Sequence, residues 1–172
     1  MKVKRYKLKG TIEDSLPLIQ GIMTRHLHEG TTDIGVRRVA EAVVRKRGIK
    51  GRDYLGEIKA LTAWVRSKTR YTRDPFGAEL IRHPRRQIYE FSKSGQIQTD
   101  CDESSTLLAS LLGSIGHNVR VALVDAGMGR EITHAIAQVE YPPGSGRQVF
   151  LEATKEKPIG WHPKFSRIMI IE

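Results

Sequence analysis

The stretch Thr99-Asp100-Cys101-Asp102-Glu103-Ser104-Ser105-Thr106-Leu107-Leu108-Ala109-Ser110-Leu111-Leu112-Gly113-Ser114-Ile115-Gly116 decides the architecture of this chain. Asp100 is suited to cap a helix, Glu103 stands three residues later where it completes a capping box, and Gly116 supplies a stop. Between these signals Leu107, Leu108, Leu111, Leu112 and Ile115 form a strongly apolar face. The spacing predicts a buried central helix whose first turn carries Cys101.

Upstream of it the apolar period is also helical. Residues 11 to 28, with Leu16, Ile19, Ile22, Met23 and Leu27, predict one helix, and Val36, Val39, Ala40, Val43 and Val44 predict a second, closed by Gly48. Ile58, Leu61, Trp64 and Val65 mark a third. From Tyr71 to Pro84 the pairs Asp74-Pro75 and His83-Pro84 predict an irregular loop, because the residue before proline avoids helical backbone angles. Downstream of Gly116 the pattern changes to period two or short apolar runs: Val119 to Val124, Ala135 to Tyr141, Gln148 to Leu151 and Ile168 to Ile171. The cluster Pro142-Pro143-Gly144-Ser145-Gly146 is turn material between two of these strands. Helices followed by strands with short connections predict an α+β fold, with N-terminal helices and the Cys101 helix packed on a mostly antiparallel sheet.

With 172 residues, 39% hydrophobic and 28% charged, the chain fits a single domain spanning 1–172 that needs no disulfide or metal staple. No apolar run approaches the length of a membrane span and no signal core follows the basic start, so a soluble, cytoplasmic protein without membrane contact is expected. The net charge of +10 is uneven: residues 1 to 50 hold 12 Lys/Arg against 5 Asp/Glu, and residues 51 to 172 hold 17 against 14. A basic helical N-terminal region, residues 1–54, is thus the expected contact for an anionic partner. His26 and His28 do not share a helix face, His83, His117 and His162 are isolated, and no metal or other cofactor is expected.

The chemistry concentrates in three residues. Cys101 is the only cysteine, so it acts as a lone thiol if it acts at all. A helix start offers partial positive charge and free N–H groups to an anionic sulfur or an oxyanion, whereas Asp100, Asp102 and Glu103 oppose negative charge there. A charged imidazole is therefore required, and His134 near the start of a strand is the candidate. Its ring needs a carboxylate on the other nitrogen, and Glu152 is preferred over Asp125 and Glu140 for that task. Residues 134 and 152 are symmetric about residue 143, the middle of the predicted turn, which brings them face to face on adjacent antiparallel strands. Trp161 is a candidate wall of a substrate groove.

The quoted helix segment resembles the Cys-helix of the transglutaminase-like superfamily, related in fold to papain-like thiol enzymes. Thr133-His134-Ala135 is similar to its histidine strand, and Leu151-Glu152-Ala153-Thr154 with Gly160-Trp161 to its acid strand. Tyr71, Asp74-Pro75, Glu79 and Pro84 resemble the segment before the cysteine in a small bacterial and phage-borne branch. The likeness runs over roughly residues 55 to 163, with Thr99 where the family often has Gly and Glu152 where it usually has Asp. It implies that residues 55–172 form a transglutaminase-like catalytic core with a Cys101–His134–Glu152 triad. Gln96 and Gln98 are candidate oxyanion donors by resemblance to papain-like enzymes, which keep a glutamine shortly before the cysteine; the spacing does not select one of the two. The implied activity is thiol-dependent acyl transfer on protein or peptide amides, hydrolytic in preference to cross-linking, with a virion-associated location if the chain is phage-encoded. The alternative is a basic structural or adaptor protein, phage-associated, that keeps the fold without turnover.

Overall fold

A computed structural model describes residues 6–7, 12–74, 78–129 and 131–172. Strand β1 (Tyr6–Lys7) precedes three helices, α1 (Ile12–Thr32), α2 (Ile34–Lys46) and α3 (Tyr54–Lys68). Short strands β2 (Thr69–Tyr71) and β3 (Ala78–Glu79) lead into α4 (Pro84–Ser94) and β4 (Ile97–Thr99). Helix α5 (Cys101–Ser114) is followed by β5 (Val119–Val124), β6 (His134–Glu140), β7 (Gln148–Leu151) and β8 (Ile168–Ile171).

The main sheet has the order β7-β6-β5-β8 and is antiparallel throughout, as the run of strands after Gly116 predicts. Two small pairs lie outside it: β1 with β3, antiparallel, and β2 with β4, parallel. Helix α5 is the hub expected from its leucines. Every residue from Asp102 to Leu112 is buried, and α1, α2, α3 and the sheet all pack around it. One apolar cluster joins Leu16 and Met23 of α1, Val36 and Ala40 of α2, Leu61 of α3, Leu107 and Leu111 of α5, and Ala137 and Leu151 of the sheet. The basic N-terminal helices thus share their core with the strands. At the α1–α5 crossing a Cβ on Gly30 would strike the Ser110 side chain, and one on Gly113 would strike that of Thr31, so each glycine leaves room for a side chain of the other helix.

Several boundaries differ from expectation. Helix α1 runs to Thr32, four residues past the predicted end, because Asp33 begins a new helix directly: its Oδ1 accepts from Gly35 N at 2.7 Å and Val36 N at 3.0 Å. The segment predicted as loop starts at the last residue of β2, contains β3 and ends by opening α4, and residues 75–77 lie outside the described part. In α4 the His83-Pro84 pair works as a start signal: His83 Nδ1 accepts from Arg85 N at 3.1 Å, Pro84 sits in the first turn, and Gly95, at φ 72°, closes the helix. The capping box is only half formed. Asp100 accepts from Glu103 N at 3.3 Å, but the Glu103 side chain turns away to Arg82.

Candidate active site

Cys101 is half-buried at the first position of α5, where its N–H is one of those that no helical carbonyl can take. His134 opens β6. Its Nε2 lies 2.8 Å from Glu152 Oε2, which leaves Nδ1 as the ring nitrogen not engaged by that carboxylate. Burial works against a charged ring, yet hydrogen bonds with the Cys101 side chain and with Glu152, and the negative charge of both partners, lift the His134 pKa to about 9. Glu152 is 1% exposed. Burial alone would raise its pKa, but His134 and Thr154 outweigh that and hold the carboxyl down at about 2. Thr154 donates to Glu152 Oε1 from both its N–H and its hydroxyl, each at 2.7 Å.

The pairing that brings these residues together is shifted from the one read in the sequence. β6 and β7 match Ala137 to Leu151 and Glu140 to Gln148, so the register is centred on residue 144, not 143. Extended by one residue, it sets Glu152 opposite Ile136, two positions from His134. Parity is kept, because 134 and 136 share a face, and a diagonal step of two positions suits a long side chain. The extra methylene of Glu over Asp thus spans the offset. Asp125 and Glu140 are committed elsewhere. Asp125 accepts from Ser166 N at 2.8 Å, Ser166 Oγ at 2.5 Å and Arg167 N at 2.7 Å, and Glu140 accepts from Asn118 Nδ2 at 2.7 Å and Gly146 N at 2.8 Å.

Two arginines absent from the sequence reading fix the frame. Arg66 of α3 donates from Nε and Nη2 to the Glu152 carbonyl at 2.9 and 2.8 Å, and from Nη2 to the Lys157 carbonyl at 2.8 Å. Arg82 donates to Glu103 from its backbone N at 2.7 Å and from Nε at 2.8 Å, to Glu90 at 2.6 Å, and to the Gln98 carbonyl. Burial pushes the Glu103 carboxyl up, to about 7, against the pull of the Arg82 guanidinium. The negative charge expected beside the sulfur is thereby partly neutralised. Both contacts join residues far apart in sequence, and no local pattern announces them.

A cleft of about 420 Å³ opens beside the pair, with His134, Glu152, Tyr71, Arg73, Lys155 and Trp161 among its lining. Trp161 is one of the residues lining this cleft, with Lys157 Nζ 4.8 Å from its ring centroid. Tyr71 is 51% exposed, and burial of the rest together with the Cys101 charge raises its phenol above the ordinary value, a hydrogen bond from Arg73 opposing. Gln96 and Gln98 are both exposed and neither lines the cleft. Gln98 lies opposite Arg70 in the β2–β4 pair. Among the described residues no group of three or more His, Cys, Asp or Glu is placed to hold a metal ion, and no helix is long and apolar enough to cross a membrane.

Against family models, curated proteins and solved structures the chain gives no significant match.

Proposed function

We propose that this chain is a thiol-dependent acyl-transfer enzyme of transglutaminase-like type, acting on amide bonds of proteins or peptides. The observation that carries the reading is the His134 Nε2 held 2.8 Å from the buried Glu152 carboxylate, with the Cys101 side chain at the start of α5 acting on the same ring to raise its pKa. In the first step the Cys101 sulfur attacks the amide carbonyl, and its proton resides on His134. Collapse of the tetrahedral adduct breaks the C–N bond as His134 gives that proton to the departing amine, leaving a thioester. Water, losing a proton to His134, then attacks the thioester and releases acid and free thiol. The Cys101 N–H supplies one oxyanion donor at the helix start. Glu152 holds the ring by its Nε2 and keeps Nδ1 aimed at the reacting atoms.

Hydrolysis is favoured over lysine cross-linking by charge. The cleft presents Arg73 and Lys155, while its carboxylate, Glu152, is already bound to His134, so an approaching lysine ammonium meets repulsion that water does not. The second reading, a basic adaptor without turnover, draws on one observation: Gln96 and Gln98 lie outside the cleft, so neither supplies a side-chain oxyanion donor there. Incubation with a peptidyl chloromethyl ketone, followed by mass-spectrometric mapping, tests the choice. Labelling confined to Cys101 and abolished in His134→Ala is expected of the enzyme. Labelling that is unchanged in His134→Ala favours the adaptor.

A further inference from the structure

A second cavity, of about 630 Å³, lies between α2, α3 and α4 and belongs to none of the chemistry above. Its floor is apolar: Val39, Ala42 and Val43 of α2, with Trp64 of α3 and Phe91 of α4 in edge-to-face contact at 5.2 Å between ring centroids. Its rim is cationic, with Arg38, Lys46 and Arg47 from α2 and Lys68 from the end of α3. No acidic side chain lines it among the described residues, and the one acid of α2, Glu41, is bound by Arg37 at 2.7 Å. Among the described ion pairs none uses Arg38, Lys46, Arg47 or Lys68.

We propose that this groove docks an acidic segment of a partner protein, in which carboxylates flank an aromatic or large aliphatic anchor. Three features select that occupant. Arg38 and Lys46 stand eight residues apart on one helix, about 12 Å along its axis, with the apolar floor between them. A compact anion engages only one end of such a site, whereas a peptide spans both and sets its anchor against Trp64. A phosphate backbone has no use for the apolar floor, and a flat array of lipid headgroups does not enter a concave groove. Like-charge exclusion then rejects basic segments, so the rim sets specificity as well as attraction. The docking is independent of the acyl-transfer reading, because no groove residue belongs to the cleft.

The full chain is titrated against a fluorescein-labelled peptide with a Phe-Leu centre flanked on both sides by Asp and Glu, read by anisotropy. In a Trp161→Phe background Trp64 is the remaining indole, and its emission should shift on binding. Arg38→Glu combined with Lys46→Glu should weaken binding at least about tenfold, and Ala42→Glu, which places a carboxylate in the floor at an exposed position, should do the same. Circular dichroism checks that the fold is kept. Equal binding of a peptide with Ser-Ser at its centre, or an unmoved Trp64 emission, would overturn the proposal. So would tighter binding of single-stranded DNA or phosphatidylglycerol vesicles that the same substitutions abolish, and so would full binding by both charge variants.

Discussion

At the site, His134 and Glu152 each depend on neighbours for their electrical state. His134 stays charged to about pH 9 because the thiol side and Glu152 both face it, and Glu152 stays ionised to about pH 2 because His134 and Thr154 do. Iodoacetamide modification of Cys101 at about pH 7 should accordingly be several-fold faster in the wild type than in His134→Ala, and the two profiles should converge as pH passes about 9. Superimposed profiles across the whole range would remove His134 from activation. The same pair links stability to pH. A histidine whose folded pKa rises from 6.5 to about 9 contributes fully below 6.5, and that contribution is lost as pH climbs through about 9. A glutamate whose folded pKa falls from 4.5 to about 2 contributes fully above 4.5, and loses its contribution as pH falls through about 2. The difference in unfolding free energy between wild type and Glu152→Gln, measured in urea, should therefore be largest between 4.5 and 6.5 and shrink on both sides. A difference that is flat from about pH 5 to pH 9 would show that the carboxylate does not act through the charged ring.

Among the elements, α5 and the four main strands were legible because their signals are local: a cap, a leucine face, alternation and glycine turns. Helix α4 was hidden, since its His-Pro start reads as a breaker until the chain after it is seen to be helical. The Arg82–Glu103 contact was hidden for another reason. It spans 21 residues and converts an expected cap into a clamp that joins α4, β4 and α5. Arg82→Met, which leaves the buried Glu103 carboxyl without its cation, should cost about 3–5 kcal/mol, and the double change with Glu103→Met should recover much of it. Urea denaturation of the three variants checks this, and additive losses would count against the clamp. At the α1–α5 crossing Gly113→Ala should destabilise by about 1–3 kcal/mol through overpacking against Thr31, measured the same way. A neutral Gly113→Ala would mean that the helices separate easily there.

Over the whole molecule, the composition and the change from helical to strand periodicity at Gly116 were enough to read an α+β chain, and residue chemistry was enough to nominate Cys101, His134 and Glu152. The register between β6 and β7 was misread by two in its sum, because the turn was centred by symmetry and not by its hydrogen bonds: Tyr141 N donates to the Arg147 carbonyl at 2.9 Å. The error left the chosen acid unchanged, since a shift of two preserves the face. Net charge was legible as a bias toward the N-terminal helices, but not as a groove. Gathering Arg38 and Lys46 of one helix with Lys68, Trp64 and Phe91 of two others takes tertiary structure.

His134 and Glu152 ride on one hairpin of adjacent strands, whereas Cys101 rides on a helix that reaches them only through packing. A hairpin can hold its own histidine and carboxylate together while the rest of the chain is loose, but the sulfur joins them only after α5 has seated on the sheet, with α1 across it. The activation proposed for Cys101 is therefore a property of the completed molecule and not of any fragment. On that proposal, a nascent, unfolded or partly degraded copy carries a cysteine that His134 does not activate.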